Sequence, residues 1–121
     1  LLVYDAYRPA RATRAMVRWA ERSGHEWVLA QGYVARRSNH NRAAAVDLTL
    51  VRAGRPLDMG TPYDSFTTRS HTANARGEQL RNRLRLKAAM EAFGFRNYRR
   101  EWWHYDFPGV TGGPLDLPIG C

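Results

Sequence analysis

The chain has 121 residues, 44% of them hydrophobic, which is sufficient for one domain with a buried core. No apolar run reaches the roughly 18 residues of a membrane-spanning helix, so a membrane span is excluded. The formal net charge is +8, but the arginines recur on predicted helix faces and form no basic tract with interleaved aromatic residues. We therefore predict a solvated arginine-rich surface and no nucleic-acid partner.

The first third of the chain predicts a strand followed by a helix. Residues 1–5 are a short apolar run, and Pro9 suits the first turn of a helix over residues 10–23. An apolar stripe lies opposite the arginines of this helix, and Gly24 ends it. The stripe consists of Ala12, Ala15, Met16, Trp19 and Ala20.

The middle of the chain predicts one strand among irregular segments. Residues 28–34 fit either a strand or an irregular segment, and residues 36–42 are polar without a period, which predicts a loop. Residues 45–51 alternate between apolar and polar side chains, which is typical of a half-buried strand. Turn residues and a long irregular stretch follow as far as His71.

The last third predicts a second helix and two further strands. The helix runs from about residue 74 to residue 93 and stops at Gly94. Its inward residues are predicted to be Leu80, Leu84, Ala88 and Met90. Residues 95–98 and 101–107 then predict two strands joined by a turn at Arg99-Arg100. Because helices and strands segregate, we predict a single α+β domain over residues 1–121, with a small antiparallel sheet packed against two main helices.

His40 and Asp47 are candidate metal ligands, but they are seven residues apart. On one continuous strand an odd separation directs two side chains to opposite faces, so His40 must lie on the loop before the strand and curl back. A second interpretation makes residues 40–47 two helical turns, because Arg42 and the alanines after it favour helix. The alternating pattern favours the strand. Taken alone, the two residues are more often a surface His and a turn-adjacent Asp.

Glu101 and His104 are three residues apart in a predicted strand and pose the same question of side-chain direction. A bulge or turn near Trp102 would bring them to one face. An isolated Glu-x-x-His often arises by chance. With His40 and Asp47, however, His104 completes a three-ligand set that leaves one coordination position open, as catalytic zinc requires. Glu101 is then placed to take a proton from water in that position.

The remaining candidates each have a plainer interpretation. Arg8 is either an ordinary surface arginine or the partner of a developing oxyanion. Asp64 either caps a turn or supplies a carboxylate for a substrate amine. His25 and His71 fit no ligand spacing and are predicted to lie at the surface. Cys121 is the single cysteine and can form no internal disulfide.

Four segments follow the motif order of a known family. The family pattern Ser-x-His-x-x-Gly-x-Ala-x-Asp matches Ser38, His40, Ala43, Ala45 and Asp47, and Glu-x-Trp-His matches Glu101, Trp103 and His104. Tyr7-Arg8-Pro9 matches the segment with the family's catalytic arginine, and Met59-Gly60 through Asp64 matches the stretch that binds the substrate's amino end. The chain thus resembles, over almost its whole length, the VanX-type D-alanyl-D-alanine dipeptidases, in the zinc peptidase group that includes D-Ala-D-Ala carboxypeptidases and the Hedgehog signalling domain.

This resemblance implies a Hedgehog/DD-peptidase-like fold and zinc-dependent hydrolysis of the D-alanyl-D-alanine dipeptide. It implies one Zn²⁺ on His40, Asp47 and His104, with Glu101 as general base and Arg8 as the oxyanion partner. It also implies that Asp64 binds the substrate ammonium and that Ser38 binds the carboxylate. Recognition of both ends would limit the small-molecule substrate to a dipeptide, because a longer peptide would leave a buried charge unpaired.

Two departures from the family pattern keep alternatives open. Ala43 stands where the family has Gly, and a positive φ there would cost about 1 kcal/mol or more and tilt His40 away from the metal. The chain is also expected to lack an N-terminal portion. The alternatives are a D,D- or L,D-carboxypeptidase acting on cell-wall peptides, and a zinc-binding module without turnover. The oligomeric state stays open, as does the compartment, with the bacterial cytoplasm slightly favoured over the periplasm or cell envelope.

Overall fold

An antiparallel sheet forms the centre of the fold, which a computed structural model describes for residues 1–120. The strands are β1 (Leu2–Asp5), β2 (Ala45–Thr49), β3 (Val51–Arg52), β4 (Arg55–Pro56), β5 (Arg96–Asn97) and β6 (His104–Asp106). Four of them form the main sheet in the order β1-β2-β6-β5, and β3 pairs with β4 in a separate hairpin. Cys121, for which no internal disulfide was expected, lies outside the described residues.

Two longer helices and one short helix accompany the sheet. They are α1 (Ala10–Arg22), α2 (Trp27–Ala30) and α3 (Gly77–Glu91), and 3₁₀ turns cover Asn39–Arg42 and Thr68–Ser70. The prediction of an α+β fold with two main helices is confirmed. None of the helices within residues 1–120 combines the length and the apolar character needed to cross a membrane.

The register of the sheet brings polar residues of three strands side by side. Asp47 of β2 pairs with His104 of β6, and on its other side it pairs with Asp5 of β1. The register of β1 shifts between Val3 and Asp5. Because directly opposite residues of antiparallel strands direct their side chains to the same face, Asp5, Asp47 and His104 share one face of the sheet.

The opposite face of β2 packs into the main core. Leu48 is only 2% exposed and belongs to a cluster that joins the sheet to α3. The cluster consists of Leu48, Met59, Leu86, Met90, Trp102, Trp103 and Tyr105. A second cluster lies between α1 and the segment after it, and consists of Val17, Ala20, Val28, Tyr33 and Val34. The tryptophans therefore anchor the turn just before β6 in the interior.

Helix α1 follows its prediction in its extent and its exposed arginines, but only partly in the face it buries. Its arginines are exposed, it ends at Arg22, and Gly24 after it has φ +73°. Its buried residues are Thr13, Val17 and Ala20. Two residues predicted to face inward are exposed: Ala15, and Trp19, which is 56% exposed and stacks on His25 with ring centroids 4.8 Å apart.

Helix α3 differs from its prediction in the face it buries. Leu84, at 49%, and Ala88 are exposed, so two of the predicted inward residues were wrong. The buried residues are Asn82, Arg83, Leu86 and Met90. The inward face is partly polar because Asn82 and Arg83 donate to backbone carbonyls of the loop over residues 58–71, while Leu86 and Met90 pack into the apolar core.

Three segments take a different local structure from the one expected. Residues 27–30 form the helical turn α2, closed by backbone hydrogen bonds from Ala30 to Glu26 and from Gln31 to Trp27, so the strand alternative for 28–34 is wrong. The predicted loop 36–42 ends in a 3₁₀ turn. The predicted strand 101–107 is a strand only over β6, because residues 101–103 form a turn.

Candidate functional site

Three buried or nearly buried side chains form a compact triangle of candidate metal-ligand atoms. His104 Nδ1 lies 2.8 Å from Asp47 Oδ1, and His40 Nε2 lies 3.2 Å from His104 Nδ1 and 3.3 Å from Asp47 Oδ1. In the described part of the chain, this is the group of three His, Cys, Asp or Glu residues whose ligand atoms all lie within 4.8 Å of one another. The structure thus brings together the three residues predicted as ligands.

Each residue of the triangle reaches it from a different element. Asp47 and His104 are paired residues of β2 and β6. His40 lies on the 3₁₀ turn before β2. Ser38 caps the start of this turn, because its Oγ accepts from the His40 backbone N–H at 3.2 Å. The loop interpretation of residues 40–47 is therefore correct in placing His40 ahead of the strand, and the interpretation as two helical turns is wrong.

Ala43 supplies the sharp bend between His40 and the strand. Its backbone is left-handed, with φ 51° and ψ 33°, a region that costs an L-residue about 1 kcal/mol or more. The expected tilt of His40 away from its partners is absent, because its ring remains within the triangle. The left-handed bend at Ala43 is therefore compatible with His40 lying in the triangle.

A layer of hydrogen bonds orients the three side chains from behind. His40 Nδ1 lies 2.6 Å from the Ala6 carbonyl oxygen, and His104 Nε2 lies 3.0 Å from Asp106 Oδ1. Asp106 Oδ1 also accepts from Asn39 Nδ2 at 2.9 Å. Tyr63 donates its hydroxyl to Asp47 Oδ2 at 3.1 Å. Carbonyl and carboxylate partners of this kind fix which imidazole nitrogen is left to bind a metal.

The site concentrates negative charge beside the two imidazoles. Burial alone raises the pKa of Asp47, but the hydrogen bonds and charges of His104 and His40 hold it far below the ordinary value. Burial lowers the pKa of His104, yet its hydrogen bonds to Asp106 and Asp47 raise it overall. A cluster that stabilises positive charge on its imidazoles is also suited to a divalent cation.

Glu101 lies in the same cavity and is 6% exposed. It belongs to the turn before β6, closed by its backbone N–H to the Tyr98 carbonyl at 2.9 Å and by the His104 N–H to its own carbonyl at 3.3 Å. This turn brings Glu101 and His104 to one cavity, as a turn near Trp102 was expected to do. Glu101 Oε1 is buried without a hydrogen-bond partner. Burial, with the negative charges of Asp47 and Asp64, raises the pKa of Glu101 to about 8, against the opposing charges of His104 and Arg8.

Arg8 extends into the cavity from the segment after β1 and is not an ordinary surface residue. Its side chain is 19% exposed, and it donates from Nε and Nη2 to Asp5 Oδ2 at 2.8 and 2.5 Å. Its backbone N–H donates to the His40 carbonyl at 3.1 Å, and its own carbonyl accepts from Asn41 Nδ2 at 2.8 Å. The backbone of Arg8 is thereby tied to the segment that carries His40, while its guanidinium is oriented by Asp5.

The cavity itself has a volume of about 250 Å³ and a mixed lining. Ser38 and Asp64, the two residues predicted to bind substrate, both line it, as does the aromatic wall formed by Tyr33, Phe66, Tyr98 and Trp103. Asp64 is exposed as a residue, but the protein around its carboxyl partly removes it from water. This desolvation, with the negative charge of Asp47, raises the pKa of Asp64 to about 6.

The chain has two further histidines, His25 and His71, and the structure adds two partners of the triangle, Asp106 and Tyr63. His25 and His71 lie outside the triangle, as predicted, but both are half-buried and not surface residues, and His71 Nε2 lies 3.3 Å from the Tyr33 hydroxyl. Sequence reasoning missed Asp106 and Tyr63 as partners of the triangle. Asp106 follows His104 by two residues on one strand, and that spacing places both on one face, so a signal for it existed. Nothing local in the sequence links Tyr63 to Asp47.

Comparisons with known proteins agree with this geometry. Residues 1–118 match the peptidase M15 family model, described as D-Ala-D-Ala dipeptidase. D-alanyl-D-alanine dipeptidases of Enterococcus faecium and Escherichia coli are 38% identical over 123 residues and 40% identical over 118 residues, covering 87% and 95% of this chain. A D-alanyl-D-alanine dipeptidase of Streptomyces coelicolor is 36% identical over 122 residues, which cover 87% of this chain. The chain spans 58–60% of the length of these relatives.

Proposed function

We propose that this chain is a zinc-dependent hydrolase of the D-alanyl-D-alanine dipeptide. The chain belongs to the peptidase M15 family of D-Ala-D-Ala dipeptidases. The observation that carries the proposal is the triangle of His40, Asp47 and His104 in one cavity with the buried carboxylate of Glu101. Three protein ligands with an open position are typical of catalytic zinc, whereas structural zinc usually has four.

The donor set suits zinc in both its chemistry and its dimensions. Zinc bonds of about 2.0–2.1 Å in a tetrahedron separate neighbouring ligand atoms by roughly 3.3 Å. The observed separations of 2.8, 3.2 and 3.3 Å come close to that value. The carbonyl behind His40 and the carboxylate behind His104 are the usual outer partners of zinc-binding histidines. These contacts support His40, Asp47 and His104 as the ligands.

Glu101 is the general base in this proposal. Zinc, when bound, would polarise the peptide carbonyl and lower the pKa of a water toward about 7. Glu101 accepts a proton from that water as the water oxygen bonds to the carbonyl carbon. It then gives the proton to the leaving amine nitrogen as the carbon–nitrogen bond breaks. The partnerless Oε1 of Glu101 supports this role, since it has no competing hydrogen bond within the protein.

Arg8 stabilises the oxyanion that develops on the carbonyl oxygen. A guanidinium donates charge-assisted hydrogen bonds, which strengthen as negative charge builds up on the acceptor. Asp5 fixes the Nε and Nη2 edge of Arg8. Nη1 contacts only the sulfur of Met16, at 3.3 Å, a weak acceptor that an oxyanion would displace. The ion pair with Asp5 therefore orients Arg8 for this role.

Asp64 and Ser38 recognise the two ends of the substrate. Asp64 pairs with the free ammonium at the rim of the cavity. The Ser38 hydroxyl accepts from the His40 N–H, which leaves its own hydrogen free to donate to the substrate carboxylate. A longer or acylated amino end would leave Asp64 unpaired, which limits the substrate to a dipeptide.

Zinc analysis and substrate comparison test the proposal together. The purified chain should contain about one zinc and release D-Ala from D-Ala-D-Ala, and it should hydrolyse N-acetyl-D-Ala-D-Ala far more slowly. Equal hydrolysis of the two substrates would favour a carboxypeptidase instead. Bound zinc without turnover on either would make the chain a zinc-binding module.

A further inference from the structure

A buried cation on α3 holds a loop that belongs to the cavity. Arg83 is 1% exposed, although its neighbours Arg81 and Arg85 are exposed. Its Nε donates to the Met59 carbonyl at 2.7 Å, and its Nη1 donates to the carbonyls of Arg69 and His71 at 3.0 and 2.7 Å. One guanidinium thus joins the two ends of residues 58–71, which we call the rim loop.

Two further residues of α3 reinforce the first end of the rim loop. Asn82 Nδ2 donates to the Asp58 carbonyl at 2.9 Å, and Gln79 Nε2 donates to Asp58 Oδ2 at 3.0 Å. Gly60 has φ +84°, and a Cβ there would lie 2.7 Å from Gln79 Oε1 and 3.4 Å from Arg83 Nη2. The loop therefore lies directly against this polar face of the helix, and Gly60 permits the close approach.

The burial of Arg83 is costly and its geometry is specific. All three acceptors named above are neutral carbonyls, and desolvation lowers the pKa of Arg83. A buried guanidinium is retained where its planar fork makes contacts that no other side chain can. Lysine keeps the charge, but its single nitrogen cannot occupy the Nε and Nη1 positions together. The contact therefore depends on arginine and not on positive charge alone.

The rim loop carries residues of the cavity, although Arg83 does not line it. Tyr63, which donates to Asp47, and Asp64, at the cavity rim, lie near its middle. Phe66 stacks on Tyr33 with centroids 5.5 Å apart. At its second end the Ser70 carbonyl accepts from the Trp102 backbone N–H at 3.1 Å, next to Glu101. Within the described residues, the Asp64 side chain makes no hydrogen bond to the sheet, so the position of its carboxylate depends on the path of the loop backbone.

We propose that Arg83 is a positioning residue that fixes the rim loop and, through it, the Asp64 carboxylate that selects a free substrate amine. The inference rests on the proposed function, because the role of Asp64 as the ammonium partner belongs to it. His40, Asp47 and His104 lie on β2, β6 and the 3₁₀ turn, which Arg83 does not contact. The link of Arg83 to the triangle runs through Tyr63, which binds Asp47 Oδ2 and not the Oδ1 that faces the two imidazoles. Arg83 therefore determines substrate selection and leaves the three candidate ligands in place.

Arg83→Lys tests the proposal, with the exposed Arg81→Lys on the same helix as its matched control. We expect the ratio of kcat/KM for D-Ala-D-Ala over N-acetyl-D-Ala-D-Ala to fall roughly tenfold in R83K, mainly through a higher KM for the free dipeptide. Zinc content should be unchanged, and amide hydrogen exchange should speed up in the rim loop but not in β2 or β6. R81K should match the unmodified chain in every measurement. In an Asp64→Ala background, R83K should no longer alter the ratio.

Several outcomes would overturn the proposal. An unchanged ratio in R83K, an equal fall for both substrates, or the same fall in the Asp64→Ala background would each show that Arg83 does not act through Asp64. If R83K does not fold, Gln79→Ala weakens the same end of the loop from a partly exposed position, and the same criteria apply to it. If the unmodified chain does not discriminate between the substrates, the proposed function fails, and hydrogen exchange alone decides whether Arg83 fixes the loop.

Discussion

The two sides of the cavity are built by different means. On one side, His40 and Asp47 are 2% and 3% exposed, and Asp47 is paired with His104 across adjacent strands. On the other side, Asp64 is exposed and lies on a loop without regular strands, held from beneath by α3. In the proposed function, the sheet supplies the fixed geometry of the candidate metal ligands, and the rim loop supplies the carboxylate that would bind the substrate ammonium.

This difference predicts a division of effects between the two sides. Strand pairing and several hydrogen bonds hold the candidate ligands on the sheet side in place. Substituting one of these residues should therefore remove one ligand without moving the others. The rim loop has no strand pairing and is held mainly at its ends, by Arg83, Asn82 and Gln79 of α3 and by the Trp102 N–H on the Ser70 carbonyl. Changes on the sheet side should therefore act on metal and turnover, and changes on the rim should act on the choice of substrate.

The largest effect is expected from His104→Ala. The substitution removes one of three ligands, and two ligands do not hold zinc stoichiometrically. Metal analysis after dialysis should find zinc lost in H104A and retained in His25→Ala, whose ring stacks on Trp19 away from the cavity. Full zinc occupancy in H104A would remove His104 from the site and end the contrast between the two sides.

Glu101→Gln separates the base from the ligands on the sheet side. The amide keeps the shape of the side chain but cannot accept a proton, so kcat should fall by about 10²–10⁴-fold while zinc content stays the same. Steady-state kinetics and metal analysis on one preparation measure both quantities. Loss of zinc along with activity would make Glu101 a ligand and not a base.

On the rim, Asp64→Ala should change selection more than rate. Removing the carboxylate takes away the partner of the ammonium, so KM for D-Ala-D-Ala should rise by about tenfold or more with a smaller change in kcat. The advantage of the free dipeptide over its N-acetyl form should narrow accordingly. Glu26→Ala, an exposed acid at the start of α2, is the control. An unchanged preference in D64A would reduce Asp64 to a turn residue with φ 57°.

How far the sequence predicts each region follows from how local its causes are. The exposed arginines of α1 and the strand β2 follow from side-chain periodicity, which is a property of neighbouring residues. The inward face of α3 does not, because Asn82 and Arg83 are buried in order to bind carbonyls more than ten residues away. A helical pattern by itself does not distinguish a solvated arginine from one that binds a distant loop.

The candidate site divides in the same way. The triangle could be predicted because motif order, together with the resemblance it carried, grouped His40, Asp47 and His104 despite their unfavourable spacing. Asp106 could also have been predicted, because it follows His104 by two residues and the two-residue period of a strand places both on one face. The contacts of Tyr63 with Asp47 and of Arg8 with Asp5 depend on the path of the chain between elements, which side-chain patterns do not specify.

The smallest predicted effect concerns the left-handed backbone at Ala43, between His40 and β2. Ala43 and Ala53 are both exposed alanines with positive φ, 51° and 47°. Of the two, Ala43 lies close to a candidate ligand, since its N–H donates to the His40 carbonyl at 3.2 Å. Glycine relieves the left-handed strain at either position, partly offset by its greater freedom in the unfolded chain, so each substitution should stabilise by about 0.5–1 kcal/mol. Thermal unfolding should show a rise in Tm of about 2–4 °C for Ala43→Gly and for Ala53→Gly alike. Because His40 is already within the triangle, zinc affinity should be the same in both variants. Tighter zinc binding in A43G alone would show that the bend strains the ligand as well as the backbone, and the sheet side would then be less rigid than its hydrogen bonds imply.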